Sequence, residues 1–267
     1  MIPFVKAHAA GNDFLVIEET LARGQHAALA RKLCARNTSV GADGIEFLDR
    51  RADGTFFLRL FNADGSEAEL SGNGTRCVAA WLAFSEKKNE VVLGTHGGPR
   101  ACKVIEEDAE KFLIASEMGI PQVSERTLEV PGIGAVQGAV VNVGNPHFVL
   151  FVESEDFRAH GMSWQELGSI ICTHPAFPQQ TNVEFVRVLG KGEIAFRIYE
   201  RGCGPTTSSG TGTCASSTAA IALRGCNRTL TANAEGGPQS VVWPANDKPM
   251  LLTGPAEIIC MGEVATL

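Results

Sequence analysis

Short alternating or apolar runs bounded by turn residues occur in both halves of the chain and predict β-strands. The first half contains FLVIEE, IEFLDR, TFFLRLF and KFLIASEM, and the second contains VVNVGNPHFVLFVE, NVEFVRVL and EIAFRIYE. Residues 73 to 84 and 211 to 223 are instead apolar or small nearly all round, which predicts buried helices. Lesser helices are predicted at residues 25 to 35 and 163 to 171. These elements predict an α+β fold in which a mixed sheet or barrel wraps around a central helix.

The chain also repeats itself at an offset of 138 positions. From Gly54, the segment GTFFLRLFNADGSEAELSGNGT aligns over 22 positions, without a gap, with GEIAFRIYERGCGPTTSSGTGT from Gly192. At the same offset IEF matches VEF, and at a slightly shorter offset GNDFLVI matches GNPHFVL. Chance matching of glycine-rich segments does not preserve one order over four segments, so we infer an internal duplication. Ser71 and Ser209 are then equivalent positions.

The duplication predicts two similar domains that face each other about a pseudo-twofold axis. We expect the first domain to cover residues 1–120 and the second to cover residues 121–267, and we leave open whether the last strand returns to the first domain. The join is predicted within residues 118 to 134, where Pro and Gly are frequent.

Charge and cysteine content narrow the class of partner. The net charge of −7 argues against nucleic acid or an anionic membrane as the main partner. No apolar stretch has the length of a membrane span, and the first residues do not resemble a signal peptide. The eight cysteines are scattered, without disulfide or zinc spacing, which is typical of free thiols in a reducing cytosol. We therefore expect a cytoplasmic protein, a possible homodimer, that binds a small molecule and no metal.

Each predicted central helix begins with a serine followed by Gly-x-Gly-Thr, as LSGNGT at residues 70 to 75 and SSGTGT at residues 208 to 213. The first N–H groups of a helix lack intrahelical partners and lie at its positive end, so each segment is a candidate anion site. The simpler alternative is a serine N-cap followed by flexible glycines. A P-loop is disfavoured because no lysine follows the glycines.

Other polar residues lie close to these segments or in the equivalent GN turns. They are Asn12, Asn62, Asn145, His147, Asn182, Glu200 and Arg201. An Arg beside a Glu at a strand end is compatible with a surface ion pair, which contributes little. Several asparagines around such a pair favour a site for a zwitterion, in which Arg binds a carboxylate and Glu and Asn bind an ammonium group.

These motifs, taken together, resemble those of the diaminopimelate epimerase family. The resemblance rests on HAAGNDF, NADGSEAELSGNGTRC, VNVGNPHFV, TNVEFV and ERGCGPTTSSGTGTCA, which follow the family's order over nearly the whole chain. It implies two pseudo-symmetric domains with the site in the cleft between them. It also implies racemisation at Cα without pyridoxal phosphate or any other cofactor, and a place in lysine and meso-diaminopimelate biosynthesis if the substrate is the family's.

The resemblance also implies roles for individual residues. In such enzymes two cysteines flank the α-carbon, and the two helix N-termini hold the α-carboxylate. Catalytic positions correspond to Ser71, Ser209, His147 and Glu200. Substrate-binding positions correspond to Asn12, Asn62, Gly72, Asn73, Asn145, Asn182, Glu200, Arg201, Gly210 and Thr211.

The serines are the main departure from the family pattern, because both cysteine positions are occupied by hydroxyls. A serine is a weak base unless another group activates it, and a gap of several pKa units implies roughly 5–7 kcal/mol, or about four or five decades of rate. Cys77 and Cys214 lie further along their helices and are predicted to be buried. Pro205 is a second departure, since the family usually has Glu there.

Three hypotheses follow from these departures. The chain is a Cys-to-Ser variant of an epimerase, or a natural paralogue that performs elimination or isomerisation on an amino acid. Alternatively, it is an amino-acid-binding protein that has lost catalysis. The residues around Pro205 favour natural divergence, and the polar set favours an epimerase or racemase as the family-level function.

Overall fold

The computed structural model describes residues 1–265, and the chain divides into two compact units. Unit 1 contains Met1–Glu117 together with the segment that begins at Thr253, and unit 2 contains Met118–Leu252. The last strand, β17 (Leu251–Val264), therefore lies mostly in unit 1.

Unit 1 is rich in strands and has one long helix. Its elements are β1 (Ile2–Ala9), β2 (Asn12–Glu18), α1 (Glu19–Ala22), α2 (His26–Leu33), β3 (Gly44–Arg50), β4 (Phe56–Asn62), β5 (Glu67–Ala68), α3 (Gly72–Glu86), β6 (Glu90–Gly94), β7 (Arg100–Asp108) and β8 (Lys111–Glu117).

Unit 2 repeats this pattern. Its elements are β9 (Gln122–Val130), β10 (Gly134–Asn142), β11 (Pro146–Phe151), α4 (Trp164–Cys172), β12 (Asn182–Gly190), β13 (Glu193–Glu200), β14 (Gly204–Thr206), α5 (Gly210–Arg224), β15 (Thr229–Ala234) and β16 (Gly237–Val242).

Strand pairing shows the duplication independently of residue identity. In unit 1, β1–β2 is antiparallel, β2–β3 is parallel, β3–β4 and β4–β5 are antiparallel, β4–β6 is parallel and β6–β7 is antiparallel. In unit 2 the pairs from β10 to β16 follow the same order of parallel and antiparallel contacts. The register also agrees, because Phe14 pairs with Gly44 as His147 pairs with Asn182. The predicted duplication and mixed-sheet fold are therefore confirmed.

In unit 1 the strands close into a ring. β8 pairs with β7 and with β17, and β17 pairs with β1, which completes the circuit through β2, β3, β4 and β6. The long helix α3 packs inside, with its Cys77, Val78 and Leu82 side chains fully buried in one apolar cluster. A second cluster on the other side of the strands is formed around α2.

The central helix α5 of unit 2 is buried in the same way. Cys214, Ala215 and Ala219 are fully buried among residues of the surrounding strands, and α4 belongs to a separate cluster. All four predicted helices are present, with bounds that differ by one or two residues from those expected. A helix whose surface is apolar all round is buried on every side. The two central helices, α3 and α5, were recognisable in the sequence for this reason.

A strand lies within the predicted join. Unit 2 begins at Met118, and Gln122–Val130 forms β9. This strand pairs antiparallel with the next strand, β10, over nine residue pairs, so a β-hairpin orders a segment whose Pro and Gly content suggests a loop.

Candidate active site

The two serines occupy matching positions at the starts of the central helices. Both have extended backbone, and each side chain is an N-cap: Ser71 Oγ accepts from Gly74 N at 3.0 Å, and Ser209 Oγ accepts from Gly212 N at 3.2 Å. A serine is favoured at this position because its oxygen satisfies one of the unpaired N–H groups of the first turn. The equivalence of Ser71 and Ser209 is thus visible at the level of individual hydrogen bonds.

The second glycine of each motif is required by packing against a buried glutamate. A Cβ on Gly74 would lie 1.9 Å from Glu46 Oε1, and a Cβ on Gly212 would lie 2.6 Å from Ile198 Cδ1 and 3.2 Å from Glu184 Oε1. The sequence interpretation assigned these glycines to the close approach of a ligand. The structure gives them a further role, because the neighbouring strands pack directly on the first helical turn.

Ser209 lies beside a carboxylate. It is only 6% exposed, and its hydroxyl is close enough to the carboxylate of Glu200, at the end of β13, to lower the pKa of that group. Thr206 Oγ1 donates a hydrogen bond to the same carboxylate, and Thr211 Oγ1 lies 3.4 Å from Ser209 Oγ. Burial raises the pKa of Glu200, and the hydroxyls of Thr206 and Ser209 offset part of that rise. A carboxylate beside a serine hydroxyl is the arrangement by which a base activates a serine.

The surroundings of Ser71 are different. Its side chain is partly exposed. Asn62, at the end of β4, is the residue equivalent to Glu200, and its Nδ2 donates to Ser66 Oγ at 3.0 Å. Unit 1 therefore carries an amide where unit 2 carries a carboxylate, so the two halves of the predicted site are chemically unequal.

Asn12 and Asn73 meet in unit 1, as part of a network that includes residues absent from the prediction. Asn73 Nδ2 donates to Asn12 Oδ1 at 3.1 Å, and Asn12 Nδ2 donates to Asp43 Oδ2 at 2.6 Å. Arg76, which is fully buried on α3, donates to Asn73 Oδ1 at 2.5 Å. Both side chains of the predicted pair are thus held by charged neighbours, which fixes their orientation.

Two further cations, Arg36 and Lys6, contact the aspartates next to this network. Arg36 donates to Asp43 at 2.6 Å and to Asp13 at 2.7 Å, and Lys6 lies 3.1 Å from Asp13. Although burial raises the pKa of Asp13, its hydrogen bonds and charge interactions with Arg36 and Lys6 hold it below the ordinary value. Asp43 was identifiable as the polar residue of GADG before β3, but sequence spacing alone does not connect it with Asn12.

In unit 2, the half-buried Asn145 and the buried His147 form a hydrogen-bonded chain. His147 Nε2 lies 2.9 Å from Asn145 Oδ1, and Asn145 Nδ2 donates to Thr211 Oγ1 at 3.3 Å. On its other side, His147 Nδ1 lies 2.6 Å from Glu184 Oε1, and both side chains are fully buried. Burial raises the pKa of Glu184, and His147 offsets part of that rise. Glu184 was part of the matched VEF segment, but nothing in its spacing indicated this contact.

Asn182 and Arg201 also come together. Arg201 N donates to Asn182 Oδ1 at 2.9 Å, and Asn182 Nδ2 donates to the Pro146 carbonyl at 3.2 Å. The guanidinium donates to the Gln179 carbonyl at 3.3 Å. Pro205 lies on the exposed side of β14, paired with Tyr199.

The cysteines agree with the sequence interpretation. Cys77 and Cys214 are fully buried, and burial raises the pKa of the Cys77 thiol. All eight cysteines belong to the described residues and are thiols rather than disulfides. Within residues 1–265, no cluster of His, Cys, Asp and Glu has the geometry of a metal site, and none of the helices there is long and apolar enough to cross a membrane.

Comparison with known proteins identifies the family. The family model described as diaminopimelate epimerase matches residues 4–124 and again residues 139–259. The diaminopimelate epimerase of Pelotomaculum thermopropionicum is 36% identical, with 97% of this chain and 98% of the relative covered. That of Nostoc punctiforme is 35% identical, with 98% and 99% covered.

Among solved structures, a probable proline racemase from Agrobacterium radiobacter superposes with a TM-score of 0.74 at 19% identity, covering 99% of this chain and 93% of the racemase. That likeness concerns the fold. The repeated match of the family model, together with the near-complete coverage of its relatives, shows that the chain belongs to the diaminopimelate epimerase family of amino-acid isomerases.

Proposed function

We propose that this protein inverts the configuration at the α-carbon of an amino acid without a cofactor, with Ser71 and Ser209 acting at opposite faces of that carbon. Diaminopimelate is the first candidate substrate, because the relatives that match over the whole chain carry that name. The proposal requires both serines to contact the same substrate molecule, as the family resemblance implies.

The position of the Glu200 carboxylate beside the Ser209 hydroxyl carries the proposal. A serine alone is too weak a base to take an α-proton, which is the objection that the sequence raises. With Glu200 ionised, the proton leaves Cα for Ser209 Oγ while the serine proton moves to the Glu200 carboxylate, and the electron pair remains on the substrate. Ser71 then donates its hydroxyl proton to the opposite face of Cα and takes a proton from solvent, to which its side chain is partly exposed. Ser209 never becomes a free alkoxide, and Glu200 returns its proton to solvent before the next turnover. Burial favours this transfer, because a carboxylate with a raised pKa is a stronger base.

The N–H groups at the helix N-termini can stabilise the negative charge that develops on the substrate. The first N–H groups of α5 belong to Gly210 and Thr211, which precede the Gly212 N–H that Ser209 caps. No intrahelical carbonyl accepts a hydrogen bond from these two N–H groups. A substrate carboxylate placed there would gain preorganised donors as negative charge spreads from the α-carbon. We assign the same role to Gly72 and Asn73 of α3.

The remaining predicted residues would bind the distal end of the substrate. Arg201 would hold a carboxylate, and its position is supported by the hydrogen bond from its backbone to Asn182. Asn62 and Asn182 would bind the distal ammonium group together with Glu200. Asn12 and Asn145 are each fixed by two hydrogen bonds, which supports a positioning role beside the helix N-termini.

Interconversion of the diaminopimelate isomers tests the proposal. LL- and meso-diaminopimelate are incubated separately with the protein, without pyridoxal phosphate and with a chelator, and the isomers are separated by chiral chromatography. We expect conversion in both directions and a loss of about two decades or more in Glu200→Gln, since a positioned base contributes about 10²–10⁴-fold. Equal rates in wild type and Glu200→Gln would refute the role of Glu200.

One-base chemistry is the second candidate, and the inequality of the two halves favours it. Ser209 has a carboxylate, whereas the equivalent carboxylate position beside Ser71 is Asn62. A base on one face suffices for isomerisation or elimination, and for proton exchange with retention. Incorporation of solvent deuterium without inversion, or release of ammonia, would select this candidate over epimerisation.

The cytoplasmic location and the homodimer remain predictions of the sequence and form part of the same proposal. Light scattering on purified protein measures the dimer directly, and a monomer mass of 28.3 kDa would contradict it.

A further inference from the structure

Two buried glutamates occupy equivalent positions beneath the two central helices. Glu46 on β3 is 1% exposed and Glu184 on β12 is 0% exposed. The two glutamates are 138 positions apart, which is the offset of the duplication. Each carboxylate lies against the second glycine of its helix motif, Gly74 or Gly212. Neither glutamate has a role in the function proposed above. A charged residue type is rarely buried to this extent, so each position calls for a physical reason.

The two glutamates differ in what the neighbouring strand offers them. In unit 2, β11 and β12 pair in parallel, and the register that places His147 opposite Asn182 brings Nδ1 within 2.6 Å of Glu184. In unit 1 the same register places Phe14 opposite Gly44, so a phenyl ring occupies the position of the imidazole. Glu46 Oε1 is accordingly a buried oxygen without a hydrogen-bond partner among the described residues. The duplication thus provides one glutamate with an imidazole and one without.

The hydrogen bonds determine where the protons of His147 lie. Asn145 Nδ2 donates to Thr211, so Asn145 Oδ1 faces His147 Nε2 as an acceptor, and Nε2 must carry a hydrogen. At 2.6 Å, Nδ1 and Glu184 Oε1 must share one proton, since two lone pairs at that distance repel. Glu184 is therefore the group that selects the Nε2–H form of the ring and fixes its plane.

We propose that Glu184 is a positioning residue, which holds His147 so that the chain through Asn145 and Thr211 keeps a fixed geometry next to Ser209. The chain ends where Thr211 Oγ1 lies 3.4 Å from Ser209 Oγ. This inference rests on the proposed function, because it concerns the side chains around the serine that would act as base. In this role Glu184 acts through His147 and does not touch the substrate.

Three variants test the proposal. Glu184→Leu removes the hydrogen bond to Nδ1, whereas Glu184→Gln preserves it by donating its amide N–H to that nitrogen. Glu46→Leu is the matched control, since it removes a glutamate of the same burial and strand position that has no imidazole to orient. Exchange of the diaminopimelate α-proton is measured as kcat and KM for each protein.

We expect Glu184→Leu to lower kcat by about 10–100-fold, part of the 10²–10⁴-fold that a positioned acid or base contributes, with KM changed by less than about threefold. Glu184→Gln should recover kcat to within about threefold of wild type, and Glu46→Leu should stay within about twofold. A Glu46→Leu loss as large as that of Glu184→Leu would overturn the proposal, and so would a Glu184→Gln variant as slow as Glu184→Leu.

A second measurement does not depend on catalysis, and its wild-type spectrum does not depend on any variant. Two-dimensional ¹H–¹⁵N spectra of the His147 ring report which nitrogen carries the hydrogen. Wild type and Glu184→Gln should show hydrogen on Nε2, and Glu184→Leu should show a mixture of tautomers. A wild-type ring without hydrogen on Nε2, or an unchanged tautomer in Glu184→Leu, would overturn the proposal. If wild type exchanges no α-proton but the spectra behave as expected, the proposed function fails while the positioning role stands.

Discussion

Replacing Glu46 by Gln isolates the energetic effect of one buried carboxyl group. Burial raises the pKa of Glu46 from its ordinary value of 4.5 to about 8, and the side chain is 1% exposed beneath the first turn of α3. Glutamine has the same shape but does not ionise. The variant therefore removes the titration of this position while leaving the packing against Gly74 nearly unchanged.

The sign of the effect follows from the two pKa values. The unfolded chain loses the Glu46 proton near pH 4.5, whereas the folded chain retains it up to about pH 8. Between these values the native state binds more protons, so the free energy of unfolding falls as pH rises, and above about pH 8 it falls no further. At about 1.4 kcal/mol per pH unit, the folded protein loses roughly 2–3 kcal/mol from this group between pH 5.5 and pH 7.5.

Urea unfolding at pH 5.5 and pH 7.5 measures this quantity. We expect the stability of Glu46→Gln relative to wild type to rise by roughly 2–3 kcal/mol between the two pH values. The buried amide has its own cost, which is present at both pH values and cancels in the comparison. Glu125→Gln, at an exposed position on β9, controls for the change in net charge. A stability difference that is the same at both pH values would refute the assignment of a neutral, buried carboxyl to Glu46.

Other predictions follow from the same structure. Ser71→Cys combined with Ser209→Cys should raise α-proton exchange by at least about two decades, and more than either single change, because a thiol at a helix N-terminus ionises near neutral pH; exchange no faster than wild type would contradict this. Arg201→Ala should weaken binding of a dicarboxylic amino acid in calorimetry by roughly 2–5 kcal/mol with unchanged circular dichroism, and unchanged affinity would assign Arg201 to structure instead. A thiol reagent should modify Cys203 and Cys260, which are exposed, before the six buried cysteines, as peptide mass spectrometry can verify; early modification of a buried cysteine would contradict the described packing.

The duplication was predictable because sequence identity is retained at the residues that form the N-terminus of each central helix. Gly72, Gly74 and Thr75 recur as Gly210, Gly212 and Thr213, at a constant offset. The buried helices were predictable for a different reason, since segments without a polar face have no stable position at a surface. Several strands, such as β1, β9 and β17, were not predicted individually. β1 and β17 pair with each other across almost the whole chain, whereas β9 is ordered by its hairpin with β10.

The candidate site was only half predictable. Asn12, Asn145 and Arg201 stand in motifs, and the structure gives each a hydrogen-bonded neighbour among the predicted residues. Asp43 and Glu184 were missed, since their contacts depend on strand register rather than on spacing in the sequence. The position of Glu200 beside Ser209 was likewise not predictable from spacing, because it depends on how β13 ends beside α5.

The measurement that tests the central claim most directly is α-proton exchange of diaminopimelate in heavy water, followed by ¹H NMR together with chiral separation of the product. The account predicts that wild type replaces the α-proton by deuterium and inverts the centre, and that both events are lost in Ser209→Ala and slowed by at least about two decades in Glu200→Gln. Diaminopimelate that binds, as shown by calorimetry, yet keeps its α-proton through prolonged incubation would contradict the claim that Ser209 and Glu200 act together as a base.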